Sequence, residues 1–144
     1  MIFLNQSERR SFIEISGMSD KQSVLDQLLT LPRPFVCALS GNLGAGKTTL
    51  VRDFFQCLGF TGYVKSPSFS IFEIYEDIQF LHIDLYRLQE ANRDQLFALG
   101  LADFLDEGYS AFFEWPERLA AGTLNFDIKV AIEFDGNNRS YHIM

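Results

Sequence analysis

A chain of 144 residues, 47% of them hydrophobic and 22% charged, can bury one real core, and its formal net charge of −7 argues against a domain that grips nucleic acid unaided. No apolar run approaches the roughly 20 residues that a membrane span needs. The N-terminal stretch shows no basic segment followed by an apolar one, so the reading is a cytoplasmic protein with no membrane role. Cys37 and Cys57 sit in no C-x-x-C pair and fall within apolar patterns, which reads as two reduced core thiols.

Taken in chain order, Phe12-Ile13-Glu14-Ile15 alternates and reads as a short strand. Ser19 suits a helix cap, with Val24, Leu25, Leu28 and Leu29 at helical spacing behind it, and Pro32 and Pro34 ending that helix. Phe35-Val36-Cys37-Ala38-Leu39 is a continuous apolar run of strand length, the pattern of a strand covered on both faces. A glycine-rich loop follows, then a helix from Thr49 to Leu58 closed by Gly59. Ser68–Tyr75 and Phe80–Leu85 alternate, and the short link Glu76–Gln79 predicts an antiparallel pair. A helical pattern runs from about Asn92 to Leu105 with a break near Gly100. Ala111-Phe112-Phe113 is a buried-strand run. Ile128–Phe134, the turn Asp135-Gly136-Asn137-Asn138 and Ser140–Ile143 make a terminal hairpin. No repeat or linker divides the chain, so residues 1–144 read as one α/β domain.

The loop matches G-x-x-x-x-G-K-[ST] through Gly41, Asn42, Leu43, Gly44, Ala45, Gly46, Lys47 and Thr48. An apolar strand enters it and an amphipathic helix leaves it, the context this motif requires. Glycines let backbone N–H groups wrap a polyphosphate, and the helix directs its positive end at the same anion. Lys47 is placed to reach the β and γ phosphates, and the Thr48 hydroxyl to ligate magnesium. Thr49 reaches toward the α phosphate. The expected fold is therefore a three-layer sandwich like that of P-loop nucleotide hydrolases, with a mixed, partly parallel sheet and antiparallel additions.

Such a site needs a carboxylate at the end of a buried strand. Glu114, after Ala111-Phe112-Phe113, and Asp84, after Leu81-His82-Ile83, are the two candidates. Both suit metal binding or catalysis, with Asp84 favoured for orienting an attacking water. Ser66, Pro67 and Ser68 occupy the stretch where triphosphate-sensing segments sit in comparable folds; a plain proline turn is the alternative. Trp115 suits stacking on a base or simple packing. His82 reads as a structural histidine rather than a catalytic one. No N-K-x-D guanine reader is present, which favours ATP.

In this order, the loop through Leu50, Val64-Lys65-Ser66-Pro67-Ser68-Phe69, His82-Ile83-Asp84-Leu85-Tyr86-Arg87-Leu88 and Glu114-Trp115-Pro116-Glu117 resemble TsaE, a small bacterial ATPase family once called YjeE. The resemblance covers nearly the whole chain. It implies a role in forming N6-threonylcarbamoyladenosine at position 37 of tRNAs that read codons beginning with A. It also implies ATP and magnesium as cofactors, TsaD and TsaB as protein partners, and contact with tRNA only through that complex. By motif it implies that Lys47 and Thr48 hold phosphate and metal. Asp84 and Glu114 correspond to acidic positions near magnesium, Ser66–Phe69 to a switch-like loop, and Trp115 to a tryptophan beside the nucleotide. The chain departs from the family pattern at Asn42, where an acidic residue is usual, and at Ser68, where threonine is usual. A small-molecule kinase and a nucleotide-gated binding module of the same fold are the competing readings; the chain shows no arginine-rich lid of the kind the former uses.

Overall fold

The computed structural model describes residues 17–66, 71–88, 90 and 92–144. The strand expected at Phe12–Ile15 lies outside them. Seven strands, β1 (Gly17–Ser19), β2 (Val36–Ser40), β3 (Phe72–Tyr75), β4 (Phe80–Asp84), β5 (Ser110–Glu114), β6 (Ile128–Phe134) and β7 (Arg139–Ile143), form one sheet in the order β1-β7-β6-β2-β5-β4-β3. Its centre is parallel: β2 pairs with both β5 and β6, and β4 pairs with β5. The antiparallel additions are β3 on one side and β7 with β1 on the other. The expected hairpins both form. Four helices complete the described chain: α1 (Lys21–Thr30), α2 (Lys47–Cys57), α3 (Arg93–Ala98) and α4 (Leu101–Asp106).

The apolar run of β2 is explained by its two covered faces. Cys37 and Leu39 join a core with α1 and α2, while Val36 joins a second core with α3 and α4. Side chains alternate between faces along a strand, so neighbours on one strand serve opposite layers. In the first core Phe54 and Phe55 of α2 meet Phe35, Phe80 and Phe112 with ring centroids 5.3–6.0 Å apart. Such ring pairs add about 0.5–1.5 kcal/mol each beyond area burial. They fix the last turn of α2 against the amino side of β2 and β4 and the middle of β5, which leaves the start of α2 at the carboxyl edge of the sheet.

Three local expectations are corrected. Ser19 is the last residue of β1, paired with Tyr141, so the cap of α1 falls one residue later. The Asp20 carboxylate accepts the Ser23 N–H at 2.8 Å, and that bond holds its pKa below the ordinary value. Leu29 is exposed on the outer side of α1. Cys37 is buried, which pushes its thiol pKa well up, but Cys57 is exposed because it ends α2 on the solvent side. Of the alternating segment Ser68–Tyr75, the described part forms β3 from Phe72 to Tyr75, and residues 67–70 lie outside the described chain. Among the described residues no helix is long and apolar enough to cross a membrane.

Candidate nucleotide and metal site

The site is assembled by strand register. Leu39, Glu114 and Asp84 stand level across three adjacent parallel strands. Each strand ends there, so the loop after β2 and the carboxylates of β5 and β4 share the carboxyl edge of the sheet. That edge is where open α/β sheets bind ligands. A cavity of about 620 Å³ opens on it, lined by Leu43–Thr49, Ser66, Ile71, Asp84, Tyr86, Arg87, Glu114, Trp115 and Arg139.

The loop Gly41–Gly46 leaves β2 and turns back on itself through the Ala45 N–H bond to the Asn42 carbonyl, 3.0 Å. Gly41 has φ +154°, and a Cβ there would lie 2.7 Å from the Ile132 carbonyl oxygen of β6. Only glycine allows the loop to pass so close to that strand. Lys47, the first residue of α2, is buried and donates from Nζ to the Gly41 carbonyl and, at 3.5 Å, to that of Asn42. Its ammonium also stands 4.1 Å from the centre of the Trp115 ring. Burial lowers its pKa from 10.5, opposed by the charges of Glu114, Asp84 and Glu117.

Glu114 is 3% exposed and holds the centre of a polar chain. The Thr48 hydroxyl donates to its Oε2 at 3.0 Å, and His82 Nε2 lies 2.5 Å from the same oxygen. His82 is fully buried, two residues before Asp84 and therefore on the same sheet face. Among the described residues its Nδ1 has no hydrogen-bond partner, and the ring's polar contact there is with Glu114. Asp84 receives the Ser66 hydroxyl at 3.1 Å and the Tyr86 N–H at 2.9 Å. Trp115 follows Glu114 with φ +60°, and its ring packs 4.9 Å from that of Tyr86. A non-glycine residue held in that conformation is uncommon and concentrates at functional sites.

The donor set suits magnesium. Thr48, Glu114, Asp84 and Ser66 all present hard oxygens around one cavity. Magnesium takes one or two carboxylates and completes its shell with phosphate oxygens and water. The loop, with its backbone turned around the start of α2, suits a polyphosphate.

Of the residues singled out in the sequence, Leu43, Gly44, Ala45, Gly46, Lys47, Thr48, Thr49, Ser66, Asp84, Glu114 and Trp115 line the one cavity. Gly41 and Asn42 line a neighbouring recess of about 480 Å³ between the loop and β6. Pro67 and Ser68 lie outside the described residues. Sequence reasoning missed Arg139, whose Nε donates to the Ala45 carbonyl at 2.8 Å from 94 residues away. No local pattern around Arg139 signals the loop; only the hairpin register brings it there.

A family model described as "Threonylcarbamoyl adenosine biosynthesis protein TsaE" matches residues 15–141. The chain belongs to the TsaE family. A tRNA threonylcarbamoyladenosine biosynthesis protein TsaE from Haemophilus influenzae is 35% identical over 74% of this chain and 67% of its own length. The protein of that name from Bacillus subtilis is 38% identical over 67% of this chain. The match spans 62% of that relative's length, less than two thirds of it. A crystal structure of Bacillus subtilis YdiB superposes over 91% of this chain and 86% of its own, with a TM-score of 0.61 at 22% identity, so the two share a fold. The α/β sandwich read from the sequence is thus the fold of that structure too.

Proposed function

We propose that this chain is a magnesium-dependent ATPase of tRNA threonylcarbamoyladenosine formation, acting in the cytoplasm with TsaB and TsaD and meeting tRNA through that complex. The observation that carries the ATPase reading is the pair Thr48–Glu114, backed by buried His82, beside Lys47 and Asp84 on one cavity. The tRNA role rests on family membership.

Lys47 neutralises the β and γ phosphates and is drawn from its own loop carbonyls to do so. Thr48 and Glu114 would hold the metal, which when bound would supply charge neutralisation to the phosphate oxygens. Asp84, steadied by the Tyr86 N–H, presents its other oxygen to an attacking water; Ser66 occupies that oxygen in this conformation. Trp115 and Tyr86 wall the terminal-phosphate end from solvent. The negative charge of the chain accords with a protein that works through partners rather than by gripping RNA.

The test is reconstituted tRNA modification with TsaB, TsaD and the enzyme that supplies the activated threonylcarbamoyl group. Multiple turnovers should require this chain, ATP and an intact Lys47. Modification that proceeds equally with Lys47→Ala would sink the proposal, and phosphate transfer to a small acceptor would favour a kinase.

A further inference from the structure

We infer that His82 is a positioning residue for the metal: its ring nitrogen holds one oxygen of Glu114 and so sets the carboxylate that magnesium needs. The inference rests on the ATPase reading above and deepens it.

The strands grade from apolar to charged on the sheet face that meets α2. Side chains alternate, so Phe80, His82 and Asp84 of β4 share that face, and so do Phe112 and Glu114 of β5. The register pairs His82 with Phe112 and Asp84 with Glu114. Phe80 and Phe112 belong to the aromatic core, whereas Asp84 and Glu114 line the cavity. His82 therefore stands at the step between core and rim. From there its ring reaches diagonally across the β4–β5 pair, and Nε2 lies 2.5 Å from Glu114 Oε2. A carboxylate only accepts, so the ring nitrogen donates.

Packing alone does not explain an imidazole at this place. His82 is fully buried, and among the described residues its Nδ1 has no partner. A buried polar atom left unpaired costs stability, and an apolar side chain beside Phe80 and Phe112 would avoid that cost. What the imidazole adds is the bond to Glu114. Glu114 is itself 3% exposed, so its charge must be met by hydrogen bonds or a cation. The bonds from Thr48 and His82 both end on Oε2, which fixes the rotation of the carboxylate and makes Oε1 the oxygen available to a cation. Thr48 lines the cavity, but His82 stands behind Glu114 and acts through it. Partners that hold a ligand from behind are commonly worth about ten- to a hundredfold in metal affinity.

The experiment measures ATP affinity by calorimetry in EDTA and in excess magnesium, for the full chain and its variants. The readout is the gain in affinity that magnesium confers. His82→Leu should cut that gain about tenfold and leave the affinity in EDTA unchanged. His82→Gln, whose amide nitrogen falls where Nε2 stood, should keep most of the gain. His82→Asn, whose amide falls nearer the place of Nδ1, should lose it as leucine does, and serves if the leucine variant fails to fold. In a Glu114→Gln background His82→Leu should cost nothing further, because the histidine acts through that carboxylate. Leucine and asparagine variants that keep the full gain would overturn the inference. So would equal losses with and without magnesium, which would assign His82 to packing, a glutamine variant that loses as much as leucine, or losses at His82 and Glu114 that simply add. Wild-type ATP binding that magnesium does not strengthen would remove the metal reading and this inference together. A magnesium gain in wild type leaves the ATPase reading standing whatever the variants do.

Discussion

The two flanks of the phosphate loop are built differently. On the β5 and β4 side the contacts run between side chains: Thr48 to Glu114, Glu114 to His82, Ser66 to Asp84. On the β6 and β7 side the loop meets a backbone carbonyl, that of Ile132, and one arginine that donates to the loop's own backbone. The first flank stores charge and hydrogen-bond capacity that a metal and phosphates can draw on. The second shapes the loop and sets how far it stands from the sheet. Substitutions on the first should therefore change chemistry with little change in fold, and a substitution at Gly41 on the second should do the reverse.

The largest effect is expected where the flanks meet. Lys47→Ala removes the cation proposed to answer the β and γ phosphates, and ATP turnover, measured as phosphate release with partners present, should fall about a hundred- to a thousandfold. Glu114→Gln tests the first flank alone. The amide keeps the shape and one acceptor oxygen but loses the charge proposed to hold a metal. Magnesium dependence should shift to roughly a hundredfold higher concentration while the melting temperature moves little. A large drop in melting temperature would show that the Thr48–Glu114–His82 chain serves the fold first.

Gly41→Ala tests the second flank. Its Cβ would meet the Ile132 carbonyl at 2.7 Å in a backbone conformation already costly for alanine. The expected loss is about 1–3 kcal/mol of stability, read by urea denaturation. Gly44 supplies the control. It has φ +79° but nothing within 4 Å of an added Cβ, so Gly44→Ala should cost only the backbone term of about 1 kcal/mol. Equal losses at the two positions would mean that the contact with β6 does not shape the loop.

The same asymmetry decided what was legible in the sequence. The first flank could be read because its carboxylates end apolar strands, and a charge after Ala111-Phe112-Phe113 has one place to go. The loop could be read because glycines, lysine and threonine at fixed spacing each answer a local demand. Arg139 could not be read, because its partner is a backbone carbonyl 94 residues away and any residue type carries one. The alternating pattern reads His82 as structural, and the residue is fully buried; its tie to Glu114 follows only from the β4–β5 register that pairs Asp84 with Glu114. The cap of α1 was misplaced by one residue for a similar reason. Ser19 has good capping chemistry, but the pairing of β1 with β7 claims it first, and no local pattern reports that edge strand.

The smallest effect concerns Lys47 as a titrating group on the boundary between the flanks. Burial lowers its pKa from 10.5, with the nearby carboxylates opposing. A lysine whose value is lower folded than unfolded binds its proton more weakly in the native state. The charged form is therefore a cost to the ligand-free fold below the folded value, and the cost fades as pH rises through the window between the folded value and 10.5. Lys47→Met, which removes the charge and keeps most of the stem, should accordingly give a ligand-free protein at least as stable as wild type near neutral pH. The stability difference should close as the pH approaches 10.5. Triphosphate binding runs the other way. The anion favours the ammonium, so binding takes up protons above neutrality, and ATP affinity should begin to fall at a lower pH than an ordinary lysine would dictate. Paired urea and calorimetric titrations across pH 7 to 10.5 read both slopes. If Lys47→Met destabilises the ligand-free protein at neutral pH, the bonds to Gly41 and Asn42 and the contact with Trp115 outweigh the burial of the charge. The lysine would then help hold the loop against β2 as well as wait for phosphate.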